Sequence, residues 1–243
     1  MRIIIVRHGD PNYELDTLTD VGVNEAKLAA EYISKLPVKA FYVSPLGRAR
    51  DTAAFTLKKM GREAKTLDWL REFEGHIERP DVPGKESICW DFLPSDMEKD
   101  NGYFDKDGWL KTDVMSSGNV KEEYEKVCRG LDELLKEHGY ERENLYYHVN
   151  EANNDTIVLF CHFGVECVML SHLLHISPMV LWQGFCAAPS SITSIYTEER
   201  RKGTASFRMN EFASTAHLYV AGEKPSFAAR FCECYDNEDE RHD

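Results

Sequence analysis

Short apolar runs typical of buried strands alternate with helical patterns along this chain, and this alternation is the feature that most constrains its fold. Residues 3–6, 40–43 and 156–161 are such runs, and a segment with helical character follows each of them. Strands that alternate with helices predict a mostly parallel sheet covered by helices on both faces. We therefore expect an α/β fold with the layers of a three-layer sandwich.

Capping residues and prolines indicate where the helices begin and end. Thr19 is a good N-cap for a helix that reaches Pro37, and Ser44-Pro45 is expected to cap and start the next helix. The other expected elements are strands at 65–67, 191–197 and 204–210, and helices at 119–138 and 164–174.

Residues 76–117 interrupt this order with several prolines, glycines and large aromatic residues. A flexible linker would not carry so many large apolar groups, so the segment is expected to form an inserted cap or lid. We expect a single α/β domain over residues 1–235 that carries this insert, followed by an acidic tail at 236–243.

The composition excludes several classes of partner. The net charge of −13 argues against nucleic acid or a membrane surface as the main partner, because both require a basic face. No apolar run has the length of a signal peptide core or of a membrane-spanning helix. The cysteines are odd in number and several lie in apolar runs, which indicates reduced thiols in a cytoplasmic protein. The Cys232-x-Cys234 pair is more typical of plain thiols than of zinc ligands, because no second metal-type pair accompanies it.

Polar side chains follow three of the expected strands at the point where each strand ends. The three clusters are Arg7-His8-Gly9, Ser44-Pro45 with Arg48, and His162-Phe163-Gly164. In a parallel sheet, ligands bind at the carboxyl ends of the strands, and helix N-termini beside them attract anions. Two arginines and two histidines at this edge predict a site for a dianion such as phosphate.

These clusters and the segments around them resemble the histidine phosphatase superfamily, also called the phosphoglycerate mutase-like proteins. The matching motifs occur in the family's order over about two thirds of the chain: Arg7-His8-Gly9, Leu18-Thr19-x-x-Gly22, Ser44-Pro45-Leu46-x-Arg48-Ala49-x-x-Thr52-Ala53, Leu70-Arg71-Glu72 and His162-x-Gly164.

The resemblance implies a role for each residue of the site. His8 would attack phosphorus and form a phosphohistidine, while Arg7, Arg48 and His162 would hold the phosphoryl oxygens. Glu72 would protonate the leaving oxygen and then help to activate water. Glu74, two residues further on, remains an alternative acid. No metal or other cofactor is expected, because the arginines and His162 supply the positive charge.

Other positions depart from the family's usual pattern or suggest specificity. Asp10 adds a negative charge beside the expected anion site, and Asn12 is not in the register of the mutases' substrate-binding Asn. Phe163 replaces a more usual small residue, and its ring is expected to form part of the pocket wall. Trp90 and Trp109 of the insert either close over the substrate or pack a small core of the insert itself.

The expected activity is that of a metal-independent phosphomonoester hydrolase acting on a small phosphorylated metabolite. One alternative is a phosphoglycerate mutase, although the acidic insert and Asp10 disfavour the second phosphate that a mutase must hold. Another is a non-catalytic phospho-ligand binding or scaffold protein, which would typically lack the nucleophile or the acid. The sequence leaves the oligomeric state open.

Overall fold

The computed structural model describes residues 1–81 and 84–226 of the chain. The expected acidic tail at 236–243 and the Cys232-x-Cys234 pair lie outside the described residues.

The described residues form strands and α-helices in an alternating order. The strands are β1 (Arg2–Arg7), β2 (Pro11–Asn12), β3 (Thr17–Leu18), β4 (Val38–Val43), β5 (Lys65–Thr66), β6 (His76–Glu78), β7 (Glu86–Ile88), β8 (Tyr140–Glu143), β9 (Tyr146–Val149), β10 (Thr156–Cys161), β11 (Ile192–Arg201) and β12 (Thr204–Ser214). The helices are α1 (Asp20–Ile33), α2 (Gly47–Met60), α3 (Pro94–Met97), α4 (Val120–Glu137), α5 (Phe163–Leu174), α6 (Pro178–Gly184) and α7 (Ala216–Val220).

Eight of these strands form one sheet in the order β5-β4-β10-β1-β11-β12-β9-β8. The first four pair in parallel, whereas each later pair is antiparallel. The expectation of a mostly parallel sheet is therefore correct for one half only, and the sheet as a whole is mixed. The antiparallel half consists of two hairpins, β8–β9 and β11–β12, whose short connections force neighbouring strands into opposite directions.

Alternate residues of the central strands face two separate hydrophobic clusters. On β1, Ile3 and Ile5 belong to a large cluster that includes side chains of α4, α5 and α6. Ile4 and Val6 belong to a second cluster with side chains of α1 and α2. This follows from the two-residue period of a strand, and it gives the three layers of helix, sheet and helix.

The start of α2 differs from the sequence prediction. The N-cap is Leu46 and the helix begins at Gly47, so Pro45 is not its first residue. The carboxylate of Asp16, from the loop between β2 and β3, accepts a hydrogen bond from the backbone N–H of Gly47 at 2.6 Å. A side chain distant in sequence therefore satisfies a first-turn N–H that Ser44 was expected to cap.

The buried apolar residues described within the insert at 76–117 belong to the main core. Met97, Tyr103 and Trp109 are buried in the same cluster as Leu131 of α4 and Leu170 of α5. The apolar groups that suggested a separate cap are used to extend the main core, and the expected cap subdomain is not confirmed.

No helix within 1–81 and 84–226 combines the length and apolar character needed to cross a bilayer.

Candidate active site

The parallel half of the sheet brings the three polar clusters to one edge. Arg7 at the end of β1 is in register with Cys161 at the end of β10, and Phe160 of β10 is in register with Val43 of β4. His8, Ser44 and His162 are the next residues along these three strands. Their common position is therefore a direct consequence of the strand pairing.

His8 is buried and held by its own loop. Its Nδ1 lies 2.8 Å from the carbonyl oxygen of Gly9. A carbonyl can only accept, so Nδ1 carries the proton and Nε2 keeps its lone pair. Burial, and then the positive charge of Arg7, holds the pKa of His8 well below its usual range. The imidazole is therefore neutral near pH 7 and its Nε2 is a competent nucleophile.

The turn after His8 depends on the absence of a side chain at Gly9. A Cβ there would lie 2.7 Å from the carbonyl oxygen of Gly22 in α1. The N–H of Gly9 donates to the hydroxyl of Thr52 on α2 at 3.0 Å. The loop that carries His8 is thus packed directly against α1 and bonded to α2.

His162 faces His8, with ring centroids 5.1 Å apart. The Nε2 of His162 and the hydroxyl of Ser44, which follows β4, are hydrogen-bonded at 2.8 Å. Its Nδ1 is buried and has no hydrogen-bond partner among the described residues. Burial and the nearby His8, Arg48 and Arg7 hold the pKa of His162 well below its usual range. A buried ring nitrogen without a partner costs free energy unless a ligand satisfies it.

Arg7 and Arg48 bring positive charge to the same place. Arg7 is 2% exposed, donates a hydrogen bond to the carbonyl of Ala187, and lies 5.7 Å from the centre of the Phe163 ring. Arg48 forms an ion pair with Asp16 at 2.7 Å, and its Nε is buried with no hydrogen-bond partner among the described residues. The buried guanidinium of Arg7 and the largely buried one of Arg48, beside two neutral imidazoles, constitute a strongly cationic site that suits a dianion.

Asp16 is a site residue that the sequence analysis missed. Its backbone is in the left-handed region at φ 48°, and a Cβ on Gly47 would lie 2.0 Å from its carbonyl oxygen. Burial alone would raise the pKa of Asp16, but hydrogen bonds from Gly47 and Arg48 outweigh that effect and lower it. Asp16 therefore stays ionised and fixes Arg48 to the start of α2. An Asp in a polar loop gives no sequence signal for this contact.

Glu72 lies where the 3₁₀ turn after β5 meets α5. Its Oε1 accepts hydrogen bonds from the backbone N–H of Phe73 at 2.8 Å and of Val165 at 3.2 Å. Burial raises the pKa of Glu72, although these bonds and the two arginines oppose the shift. Glu74 is exposed to solvent. Of the two carboxylates considered from the sequence, Glu72 is the one held against the His162 helix.

The expected specificity residues have different surroundings. Trp109 is completely buried and packs against Trp182 and Tyr124, so it is a core residue and not a substrate contact. Phe163 is 4% exposed, and its ring makes a cation–π contact with the Arg7 guanidinium. The side-chain oxygen of Asn12 accepts from the N–H of Leu15 at 3.1 Å and shapes the β2–β3 turn.

Trp90 is the insert residue that lies against the site. A Cβ on Gly164 would come within 2.1 Å of the Trp90 ring and 2.7 Å of the Glu72 carboxylate. Glycine at position 164 thus lets Trp90 and Glu72 approach the first turn of α5. Trp90 also packs on Phe73 and Trp182, and its carbonyl accepts a hydrogen bond from Gln183 of α6.

Ser190 and three other histidines are bonded to partners within the fold. The backbone N–H of Ser190 donates to the carbonyl of His8 at 2.9 Å, and its hydroxyl is 3.2 Å from His217. His172 bonds Asp132 at 2.9 Å and His175 bonds the carbonyl of Leu145 at 2.8 Å. These contacts are structural.

A cavity of about 260 Å³ opens beside Glu72. Its lining carries both signs of charge, including Arg71, Glu74, His76 and Lys126. Glu72 is the residue that this cavity shares with the candidate site, since none of Arg7, His8, Arg48 and His162 lines it.

Part of the chain matches a known protein family. Residues 3–83 match the family model of the histidine phosphatase superfamily (branch 1), and this range contains Arg7, His8, Arg48 and Glu72. The resemblance seen in the sequence motifs is thereby confirmed. No curated protein matches the chain.

Several solved structures share this fold. A mutant phosphoserine phosphatase from Entamoeba histolytica, in complex with phosphoserine, is 22% identical, with a TM-score of 0.60 over 89% of this chain and 98% of that one. The same phosphatase in complex with 3-phosphoglyceric acid is 22% identical, with a TM-score of 0.59 over 89% and 98%. A mycobacterial glucosyl-3-phosphoglycerate phosphatase is 19% identical, with a TM-score of 0.61 over 88% and 99%. At these identities the likeness establishes the mixed α/β fold.

Proposed function

Because residues 3–83 match the family model of the histidine phosphatase superfamily, we propose that this chain is a phosphomonoester hydrolase that works through a phosphohistidine at His8. The observation that carries the proposal is the buried His8, whose Nδ1 is bonded to Gly9 and whose low pKa leaves Nε2 unprotonated beside two arginines. Phosphatase activity is also the function named for the structural neighbours in Entamoeba and mycobacteria.

In the first step, the Nε2 lone pair of His8 forms a bond to phosphorus while the bond from phosphorus to the leaving oxygen breaks. Glu72 gives its proton to that oxygen, so the product departs as a neutral alcohol. The raised pKa of Glu72 supports this role, because the carboxyl group must be protonated when the substrate arrives.

In the second step, a water molecule attacks phosphorus and loses a proton to the Glu72 carboxylate. The bond between phosphorus and Nε2 breaks, the electron pair returns to His8, and inorganic phosphate leaves. Glu72 is then protonated again and the cycle is closed.

Positive charge for both transition states would come from Arg7, Arg48 and His162. The developing charge on the phosphoryl oxygens is met by donors that are already desolvated and fixed. This arrangement requires no metal ion in either step, so we propose that turnover continues in the presence of a chelator.

The substrate is proposed to be a small phosphorylated metabolite. The cavity beside Glu72 has mixed charge and suits a small polar leaving group. Its positive residues are partly neutralised, since Asp68 pairs with Lys126 at 3.2 Å and with Arg71 at 3.7 Å. A second phosphate, as a mutase requires, would find little free positive charge there. The buried cysteines Cys89, Cys128, Cys161 and Cys167 are free thiols, which also supports the proposed cytoplasmic location, where thiols stay reduced.

The test is release of inorganic phosphate from an aryl phosphate and from a panel of metabolite monoesters, with chelator present. We expect turnover by the native protein, loss of at least about a thousandfold in His8→Ala, and no loss in the exposed His148→Ala. An acid-labile phosphoenzyme should be trapped on native protein and not on His8→Ala. Full activity of His8→Ala would exclude the assignment of the nucleophile.

The two alternatives give different results in the same assays. A mutase, given 3-phosphoglycerate and a trace of bisphosphoglycerate, would isomerise it faster than it releases phosphate. A scaffold protein would bind phosphate without forming the phosphoenzyme.

A further inference from the structure

Tyr13 is a large side chain at the mouth of the site that the chemistry above does not use. It lies between β2 and β3, five residues after His8, and is 57% exposed. At this exposure the ring does not pack into the core, so other contacts must determine its position.

The loop that carries Tyr13 is fixed at both ends. Pro11 and Asn12 pair with Leu18 and Thr17 in the short β2–β3 ladder. The loop is bonded to α2 through the hydroxyl of Thr17, which donates to Asp51, and through Asp16 at the start of that helix. The position of Tyr13 is therefore set by the loop's hydrogen bonds.

The ring and the hydroxyl of Tyr13 contact the two arginines of the site. The centre of the ring lies 5.4 Å from the guanidinium carbon of Arg48, which is the geometry of a cation–π contact. Hydrogen bonding to Arg7 acts to lower the pKa of the Tyr13 hydroxyl, and Glu72 is close enough for its charge to raise it. The side chain thus lies beside the groups expected to hold the phosphoryl oxygens and the leaving oxygen.

The hydroxyl has one hydrogen-bonding capacity left. Interaction with Arg7 uses a lone pair of the oxygen, whereas the proton of a phenol can be donated to an acceptor. Burial of the hydroxyl raises the pKa of Tyr13, so it stays protonated at neutral pH. A phosphoryl group between Arg7 and Arg48 would present an acceptor oxygen to it.

We propose that Tyr13 is a substrate-binding residue whose hydroxyl donates a hydrogen bond to the phosphoryl group and whose ring covers Arg48 at the mouth of the site. The inference rests on the proposed function, since it assigns Tyr13 to the same phosphate pocket. It adds a ligand that is supplied by a surface loop and not by a strand end.

The opposite role would be a plug, in which Tyr13 occupies the pocket and competes with phosphate for Arg7. The two roles differ in the sign of the effect on phosphate affinity. As a ligand, the hydroxyl strengthens binding, and its removal weakens it. As a plug, its removal frees Arg7 and strengthens binding.

The experiment is calorimetric titration of the full chain with inorganic phosphate, for the native protein, Tyr13→Phe and Tyr13→Ala. Loss of one hydrogen bond to a charged group should weaken phosphate binding on the order of tenfold in Tyr13→Phe. Tyr13→Ala should bind still more weakly, because the ring over Arg48 is also lost. Tyr146→Phe is the matched control: its hydroxyl bonds Glu143 on the β8–β9 hairpin at 2.6 Å, and phosphate affinity should not change.

The outcomes are distinguishable from failure of the proposed function. Phosphate binding that is unchanged or tighter in Tyr13→Phe, with thermal unfolding like that of the native protein, would overturn the role of Tyr13 whether or not the protein is a hydrolase. Native protein that binds phosphate but hydrolyses no monoester would overturn the hydrolase and leave the Tyr13 result standing. With an active enzyme, Tyr13→Phe should raise KM for an aryl phosphate by a similar factor and change kcat less.

Discussion

Glu72 accepts a hydrogen bond from the backbone N–H of Val165 at 3.2 Å, so the proposed acid is bonded to the first turn of the helix that follows His162. The two residues are 93 positions apart in sequence. A helix N-terminus favours the ionised carboxylate, whereas burial favours the neutral acid. This opposition allows Glu72 to exist in both forms during one catalytic cycle.

Gly164 is predicted to be indispensable to this arrangement. A methyl group in Gly164→Ala would meet the Trp90 ring at 2.1 Å and the Glu72 carboxylate at 2.7 Å, so Glu72 or Trp90 must move. We expect kcat to fall by about a hundredfold, because a displaced acid protonates the leaving group poorly. Gly184→Ala is the control, since nothing lies within 4 Å of the added carbon, and its kcat should match the native value. Native kcat in Gly164→Ala would contradict the proposed position of the acid.

The role of Glu72 should depend on the leaving group. An alkyl alcohol needs a proton to depart, whereas a nitrophenol departs readily as the anion. Glu72→Gln should therefore reduce phosphate release from an alkyl phosphate far more than from an aryl phosphate, by a ratio of roughly 10²–10⁴. Glu74→Gln tests the alternative acid, and we expect it to reduce neither rate. A large effect of Glu74→Gln that is selective for alkyl phosphates would transfer the role to Glu74.

The pH profile of kcat/KM should be bell-shaped. The first step needs His8 unprotonated, so activity falls as pH drops through the pKa of His8, which lies well below its usual range. It also needs Glu72 protonated, so activity falls as pH rises through the raised pKa of Glu72. Because one pKa is low and the other is above that of an ordinary glutamic acid, the optimum is expected on the acid side of neutrality. In Glu72→Gln, the fall on the basic side that is due to Glu72 should disappear.

The sequence could predict the strand-end residues because they depend on simple periodicity. β1, β4 and β10 are short apolar runs, and parallel pairing then places His8, Ser44 and His162 side by side. The β8–β9 hairpin was not predicted because its strands are only four residues long, lie at one end of the sheet and bury a single side chain each. A strand of that kind looks like a loop in sequence.

The contacts of Asp16, Tyr13 and Trp109 could not be predicted for a different reason. Each depends on which distant element lies beside the residue: α2 for Asp16, the arginines for Tyr13, and Trp182 with Tyr124 for Trp109. The local sequence pattern gives no information about such contacts. Trp109 shows the consequence most clearly, since a tryptophan in an insert looks the same in sequence whether it contacts a ligand or fills the core.

Glu166 is predicted to make folding stability depend on pH. It is 2% exposed on α5, its carboxylate accepts a hydrogen bond from the Thr193 hydroxyl, and burial raises its pKa to about 7. The folded chain therefore holds this proton more tightly than the unfolded chain, so stability should decline as pH rises from about 4.5 to about 7. Glu166→Gln keeps an acceptor for Thr193 and removes the titration, so it should remove roughly 2–3 kcal/mol of that decline.

Urea unfolding at several pH values measures how the free energy of unfolding changes with pH, and the exposed Glu133→Gln on α4 should leave this slope unchanged. An equal slope in native protein and Glu166→Gln would mean that Glu166 is ionised in the fold already at acid pH.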